Sequence, residues 1–260
     1  MRQASVMLFF PFLCGGCQLF ESLKDAVDEL TQPVLLQAVY VGVEELDPSA
    51  GIDLSGTEMS SGSTVSAYVY DANLSSGTSP ATGAKVSLIS ASLGSVGLAE
   101  GEPGSYAADA SDGLDYRAGD DVEVVADYGG VRHRIAMNTP DPADVAIEED
   151  HTPGMGISID LRGQGYDNAV VMVFDVSGEG GTVWESDIDP TSPRDSDNLT
   201  HSIPGSVFKD GGLYVVGVVG LEAADEEDFY EVQALGSGML AGTMALFPVS
   251  TLGSFDTGSF

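Results

Sequence analysis

The chain has 260 residues, with 41 Asp plus Glu against 9 Lys plus Arg, for a formal net charge of −32. So few cations cannot neutralise a phosphate backbone, which excludes nucleic acid as a partner. A 43% share of hydrophobic residues is enough to bury a core, which excludes a disordered acidic tail, and 2 cysteines cannot build a multi-disulfide framework or an all-cysteine zinc site.

The N-terminus is a different material from the rest. Arg2 is the only charged side chain before position 17, and residues 6–13 read VMLFFPFL. One cation, a short apolar run and small residues ahead of a cut make a secretory signal. The run is far below the roughly 20 residues needed to span a bilayer as a helix. The sequence Leu13-Cys14-Gly15-Gly16-Cys17 resembles the end of a bacterial lipoprotein signal peptide. That resemblance implies that the Cys17 thiol takes a diacylglyceryl group and becomes the acylated N-terminus once residues 1–16 are removed. It also implies the outer membrane, because Gln18 rather than Asp follows the cysteine. Acylation by more than one chain is physically sufficient for anchoring, at about 0.8 kcal/mol per buried CH2. With Cys14 cleaved away and Cys17 acylated, no thiol would remain for a disulfide.

Residues 17–33 form the anchor and a short amphipathic stretch. Leu19, Phe20, Leu23, Val27 and Leu30 recur at three- and four-residue spacing, which predicts a helix over 18–32 that Pro33 ends. Its polar face is acidic, which fits packing against the protein body better than lying on a membrane.

From residue 34 the pattern becomes β. Strands are predicted at 34–43, 64–70, 84–90, 105–109, 121–127 and 131–137, short and separated by Gly, Ser, Asp and Pro clusters. Val65, Ala67 and Val69 alternate with Ser66, Tyr68 and Tyr70, which turns one face to a core. Gly129-Gly130 between two runs predicts a tight hairpin. Residues 34–140 therefore read as one antiparallel sandwich. Residues 141–155, rich in Pro and acid, read as a linker. A second set covers 156–252, with strands predicted at 157–161, 169–176, 182–185, 200–203, 213–221, 230–235 and 242–249. The runs AVVMVFDV and LYVVGVVGL within it are almost wholly apolar and predict central strands covered on both faces. Residues 253–260 read as a flexible tail.

Residues 64–137 resemble a bacterial Ig-like or carboxypeptidase regulatory-like module, through TVSAYVYDA, PATGAKVSL, GSYAAD and GDDVEVVADYGG. The stretch Gly212-Leu213-Tyr214-Val215-Val216-Gly217-Val218 is similar to a late strand of a fibronectin type III-like domain. The fold expected is all-β: two antiparallel β-sandwich domains, Ig-like and fibronectin type III-like, after a signal peptide and a short helix. Such sandwiches host many functions.

Chemistry-bearing constellations are few. His133, His151 and His201 are far apart in sequence and form no metal-ligand motif. Ser237 lacks the nucleophile-elbow context, and Trp184 reads as core or core edge. Calcium is the one cofactor with a candidate site. Asp187, Asp189, Asp195, Asp197 and Asn198 supply hard oxygens within one loop, without the EF-hand spacing. A second acidic group is Asp109, Asp112, Asp115, Asp120 and Asp121, with Tyr106 and Tyr116 nearby. The acidic run Glu226–Asp228 offers a surface to a basic protein partner. The expected function is non-catalytic: a lipid-anchored protein of the cell envelope, facing the periplasm or exterior and presenting a binding or structural surface. The alternatives are a calcium-stabilised adhesin-like or carbohydrate-binding module, and a hydrolase with an unrecognised site.

Overall fold

The structure is a computed structural model that describes residues 34–43, 62–71, 79–177, 181–186, 196–224, 229–230 and 237–252. Residues 1–16, expected as a signal peptide, Cys17, the helix expected over 18–32 and the tail expected at 253–260 lie outside the described residues.

The chain is all-β and sandwich-like, and the described helical turns are 3-10 turns of three or four residues. Strands β1 (Val34–Val43), β2 (Thr64–Asp71), β3 (Ser79–Pro80), β4 (Lys85–Ser90), β5 (Gly94–Glu100), β6 (Ser105–Asp109), β7 (Asp121–Tyr128) and β8 (Val131–Asn138) come first. Strands β9 (Ile157–Asp160), β10 (Asn168–Asp175), β11 (Gly181–Glu185), β12 (Thr200–Ile203), β13 (Leu213–Ala223), β14 (Phe229–Tyr230) and β15 (Gly238–Ser250) follow. Hydrogen bonding runs continuously in the order β11-β10-β13-β15-β1-β2-β6-β5-β4-β7-β8-β14, with β3 also on β2. β9 and β12 form a separate two-stranded sheet.

Every pairing between the named strands is antiparallel except one, and an isolated bridge between Asp150 and Ser250 is also parallel. β15 runs parallel to β1, from Gln37 opposite Gly238 to Val43 opposite Met244. On its other edge β15 pairs antiparallel with the whole of β13. The first and last described strands are thus neighbours, and the sheet is continuous between the two halves of the chain. A strand near position 37 can find its partner 200 residues away only after the intervening chain has folded back, so no local pattern announces it.

The local reasons are legible. In β2, Val65, Ala67 and Val69 are wholly buried while the intervening residues are half-exposed, the two-residue period of a strand with one covered face. β7 and β8 join through Gly129 and Gly130 at φ +61° and +84°. Both central residues at positive φ make the primed turn that matches the twist of a hairpin. β10 and β13 are buried on both faces along almost their whole length, as their unbroken apolar runs require.

Two strands were not predicted. β3 is two residues long. β5 reads GSVGLAE, with poor β propensity and mostly exposed side chains. Its order comes from pairing: Val86 opposite Leu98 through Ser90 opposite Gly94 on one side, and Ala99 and Glu100 against β6 on the other. β5 therefore turns the sheet from one layer into the next. Of the predicted 230–235 strand, Phe229–Tyr230 is described, paired with β8. β15 starts four residues earlier than its predicted bound of 242, because Gly238 to Ala241 are needed to pair with β1.

Three apolar clusters result. The first lies between β1, β2 and β6 on one layer and β4, β7 and β8 on the other, around Leu36, Tyr40, Tyr106, Leu88 and Ile135. The second lies beneath β10 and β13, with Ile159 of β9, Ile203 of β12 and Phe208 closing it. The 141–155 segment, expected as a linker, packs along this second cluster: Ala143 is buried, and Val145 and Ile147 rest on it. It is pinned by Asp144 N–H to Gln164 Oε1 at 3.0 Å and by Gln164 Nε2 to the Asp144 carbonyl at 2.8 Å. The third cluster lies on the opposite face of β1, β10, β13 and β15.

Candidate functional site

The predicted site residues divide sharply. Cys17, Asp187, Asp189 and Asp195 lie outside the described residues, and so does the side chain of Asp197. Asn198 is half-buried in a 3-10 turn leading into β12, and its Nδ2 is buried without a hydrogen-bond partner. Among the described residues no three His, Cys, Asp or Glu side chains converge as a metal group would need.

The second acidic group is dispersed by its own hydrogen bonds. Asp109 and Asp112 form a reciprocal cap on the turn Ala110–Asp112. Asp115 pairs with Arg117 at 2.8 Å on the exposed surface. Asp120 accepts from Ser90 Oγ and, at 2.6 Å, from Ser92 Oγ, and these hydroxyls hold its carboxyl below the ordinary range. Asp121 accepts from Asn138 Nδ2 at 3.1 Å. Each of these acids fixes a loop or strand end.

The histidines are equally separate. His133 is buried in β8. His151 Nε2 meets the Met155 carbonyl at 2.8 Å, and its ring sits edge-on to Phe208. His201 is buried in β12, its Nε2 has no hydrogen-bond partner, and burial lowers its pKa below the ordinary value. Ser237 Oγ accepts the Leu36 N–H at 3.1 Å, which caps the start of the β1–β15 pairing. Trp184 is half-buried on edge strand β11 and packs on the second cluster.

One concavity gathers functional groups that the sequence reading did not join. It is an open cleft of about 480 Å³ where β1 ends, lined among others by Gly42, Ser63, Asp115, Tyr116, Pro142 and Thr243. Tyr116 forms its floor. Its ring lies 4.9 Å from that of Tyr40, tilted by 42°, and its hydroxyl donates to the Pro140 carbonyl at 3.0 Å. Its N–H donates to Ser63 Oγ. The ring passes so close to Gly42 that a Cβ there would stand 2.5 Å from the Tyr116 Cβ, so β1 must carry glycine at this point. Burial pushes both Tyr40 and Tyr116 well above the usual phenol range, so both stay neutral. Thr243 is 6% exposed, faces the Tyr116 phenol, and its Oγ1 makes no hydrogen bond of normal geometry. The cleft thus offers neutral hydroxyls over an aromatic floor. The Ser63 hydroxyl already accepts from the backbone, and Asp115 is tied to Arg117. The only signals for it in the sequence were Tyr116 after the acidic loop and a lone glycine in an apolar strand, and neither specifies a site.

Comparison with known proteins gives little. No family model matches the chain, and no curated protein matches it. Among solved structures it is similar to the FN1-FN3 domains of chicken CNTN1, at 10% identity over 69% of this chain and 62% of that chain. The TM-score of that likeness is 0.18, and it carries no argument. The all-β architecture rests on the strands themselves.

Proposed function

We propose that the chain is a non-catalytic protein of the cell envelope, anchored by an acylated Cys17 and presenting its β body as a binding or structural surface. The observation that carries this reading is the N-terminal sequence: one cation, the run VMLFFPFL, then Gly15-Gly16-Cys17. The behaviour of the body supports it. Asp109, Asp112, Asp115, Asp120 and Asp121 are spent on caps, turns and exposed ion pairs, the work of a scaffold. The dense negative charge coats an exported surface and keeps an anchored protein soluble. It also selects for partners with a basic face. Radioactive palmitate should label the chain in a bacterial host, and Cys17→Ala should abolish the label. Equal labelling of the two would sink the proposal. Partners are to be sought by pull-down from solubilised membranes.

A further inference from the structure

The open cleft of about 480 Å³ at the end of β1 has the size of a small-ligand site, for which about 300–1,000 Å³ is usual. Its walls are of two kinds. Val43, Leu114, Ala118 and Pro142 supply apolar surface, and Asp115 is the one charged side chain among the described lining residues. Arg117 leaves half of that carboxylate unused. Its Nε and Nη2 both donate to Asp115 Oδ2, at 3.0 and 2.8 Å, and Oδ1 accepts no hydrogen bond among the described residues. Both side chains are more than half exposed, at 57% and 58%, and a surface pair of this kind holds its acid weakly. On the β15 wall, Thr243 lines the cleft at 6% exposure, with a hydroxyl that makes no hydrogen bond of normal geometry. The surrounding field is negative. Burial first pushes the Tyr40 phenol up, and Asp115 and Asp120 add to that rise.

We propose that this cleft binds an alkyl cation: an ammonium or guanidinium group on a hydrocarbon stem, borne by Lys or Arg of a basic partner or by a free diamine. The head group bonds to Asp115 Oδ1, and the stem lies along Val43, Leu114, Ala118 and Pro142. Stems of this kind bury against apolar surface while the charge stays near water. The net charge of −32 raises the local concentration of cations at such a cleft. Other ligand classes fit less well. An anion would meet Asp115 with no Lys, Arg or His among the described lining residues to oppose it. A neutral sugar would find no Asn or Gln there, and the Ser63 hydroxyl and the Tyr116 phenol already serve the Tyr116 N–H and the Pro140 carbonyl. A bare metal ion needs several hard oxygens together, and no such group converges among the described residues. The site gives a basic partner a point of entry, and it does not depend on acylation of Cys17.

The test is calorimetric titration of the full chain with N-acetyl-lysine amide in about 0.15 M salt, where long-range attraction is screened. Binding should saturate at one site. Asp115→Asn should weaken it at least about tenfold, the loss expected for one hydrogen bond to a charged group. Arg117→Gln should tighten it by releasing Oδ2, and Ala118→Trp should abolish it by filling the cleft. Asp121→Asn should change nothing, because that exposed carboxylate is bound to Asn138 Nδ2 and is not among the described lining residues. Asp115, Arg117, Ala118 and Asp121 are all exposed, so these variants should fold, and a thermal melt checks that they do. No saturation below about 10 mM would overturn the proposal. So would equal weakening by Asp115→Asn and Asp121→Asn, equal binding of the Nε-acetylated analogue, or unchanged binding in Ala118→Trp. Parallel titrations with cadaverine and with a short lysine peptide separate the two sources. Tighter binding of the peptide supports a protein partner at this site, and tighter binding of cadaverine supports a free diamine at it. Each result leaves anchoring at Cys17 untouched, so failure of this site is separable from failure of the anchor.

Discussion

Tyr106 of β6 should be the most costly hydroxyl to remove from the body. It is 1% exposed, and its Oη joins two backbone groups of the turn before β4. It donates to the Ala81 carbonyl at 2.7 Å and accepts the Ala84 N–H at 2.9 Å. Burial pushes the phenol above its ordinary pKa, so it remains a neutral donor. Ala81 is wholly buried and Ala84 nearly so, and water cannot replace the lost partner without opening the turn. Tyr106→Phe keeps the ring and deletes both bonds. A buried donor left unsatisfied costs about 1–3 kcal/mol, and the carbonyl adds a smaller amount, which gives about 2–4 kcal/mol in total. For a chain of this size that lowers Tm by roughly 5–12 °C. The assay is urea unfolding followed by far-ultraviolet circular dichroism, at constant slope, with a thermal melt beside it. A loss below about 0.5 kcal/mol would mean that the turn is satisfied otherwise, and would refute the reasoning.

Further expectations concern space, charge and titration. Gly220→Ala in β13 would bring a Cβ within 2.5 Å of the Tyr166 ring, and should cost about 1–3 kcal/mol by overpacking; a neutral result in chemical unfolding would show the ring free to move. Burial, with Asp167 and Asp141 nearby, raises the Glu222 carboxyl. Its folded pKa lies above the unfolded value, so the burden is present at neutral pH and disappears as pH falls below about 4.3. Glu222→Gln should therefore stabilise at pH 7 and give no gain at pH 4, as read by paired melts. Tyr166 is pushed up to about 12, with Tyr40, Tyr106 and Tyr116 also raised, first by burial. Folded phenols then keep protons that unfolded ones lose, so stability should fall as pH rises past about 10; absorbance at alkaline pH should show late-ionising tyrosines that titrate normally in urea. A calcium module built on Asp187, Asp189, Asp195, Asp197 and Asn198 would raise Tm with calcium and not with magnesium. The scaffold reading expects the two ions to act alike, and a calcium-specific rise would restore that alternative.

What could be read in advance followed local physics. Val65-Ser66-Ala67-Tyr68-Val69 announces its own strand, and Gly129-Gly130 its own turn, because side-chain period and φ preference are properties of a few neighbouring residues. β10 and β13 were legible as covered strands because an unbroken apolar run leaves no polar face. β5 was not, since Gly94-Ser95-Val96-Gly97 carries no strand signal and is ordered by its neighbours. The parallel pairing of β1 with β15 was hidden for the same reason at longer range. The packing of Ala143, Val145 and Ile147 onto the second cluster was masked by the prolines around them, although those residues alternate. The cleft at Tyr116 joins β1, the residues just before β2, the loop before β7, Pro142 and β15, segments that only the fold brings together.

Anchoring at Cys17 is the claim on which the functional reading stands. Intact-mass spectrometry of the protein extracted from bacterial membranes tests it most directly. The account predicts a chain beginning at Cys17 with the added mass of a diacylglyceryl group and a further acyl chain, found in the membrane fraction. A chain retaining Met1, or one with an unmodified Cys17 recovered from the soluble fraction, would contradict it.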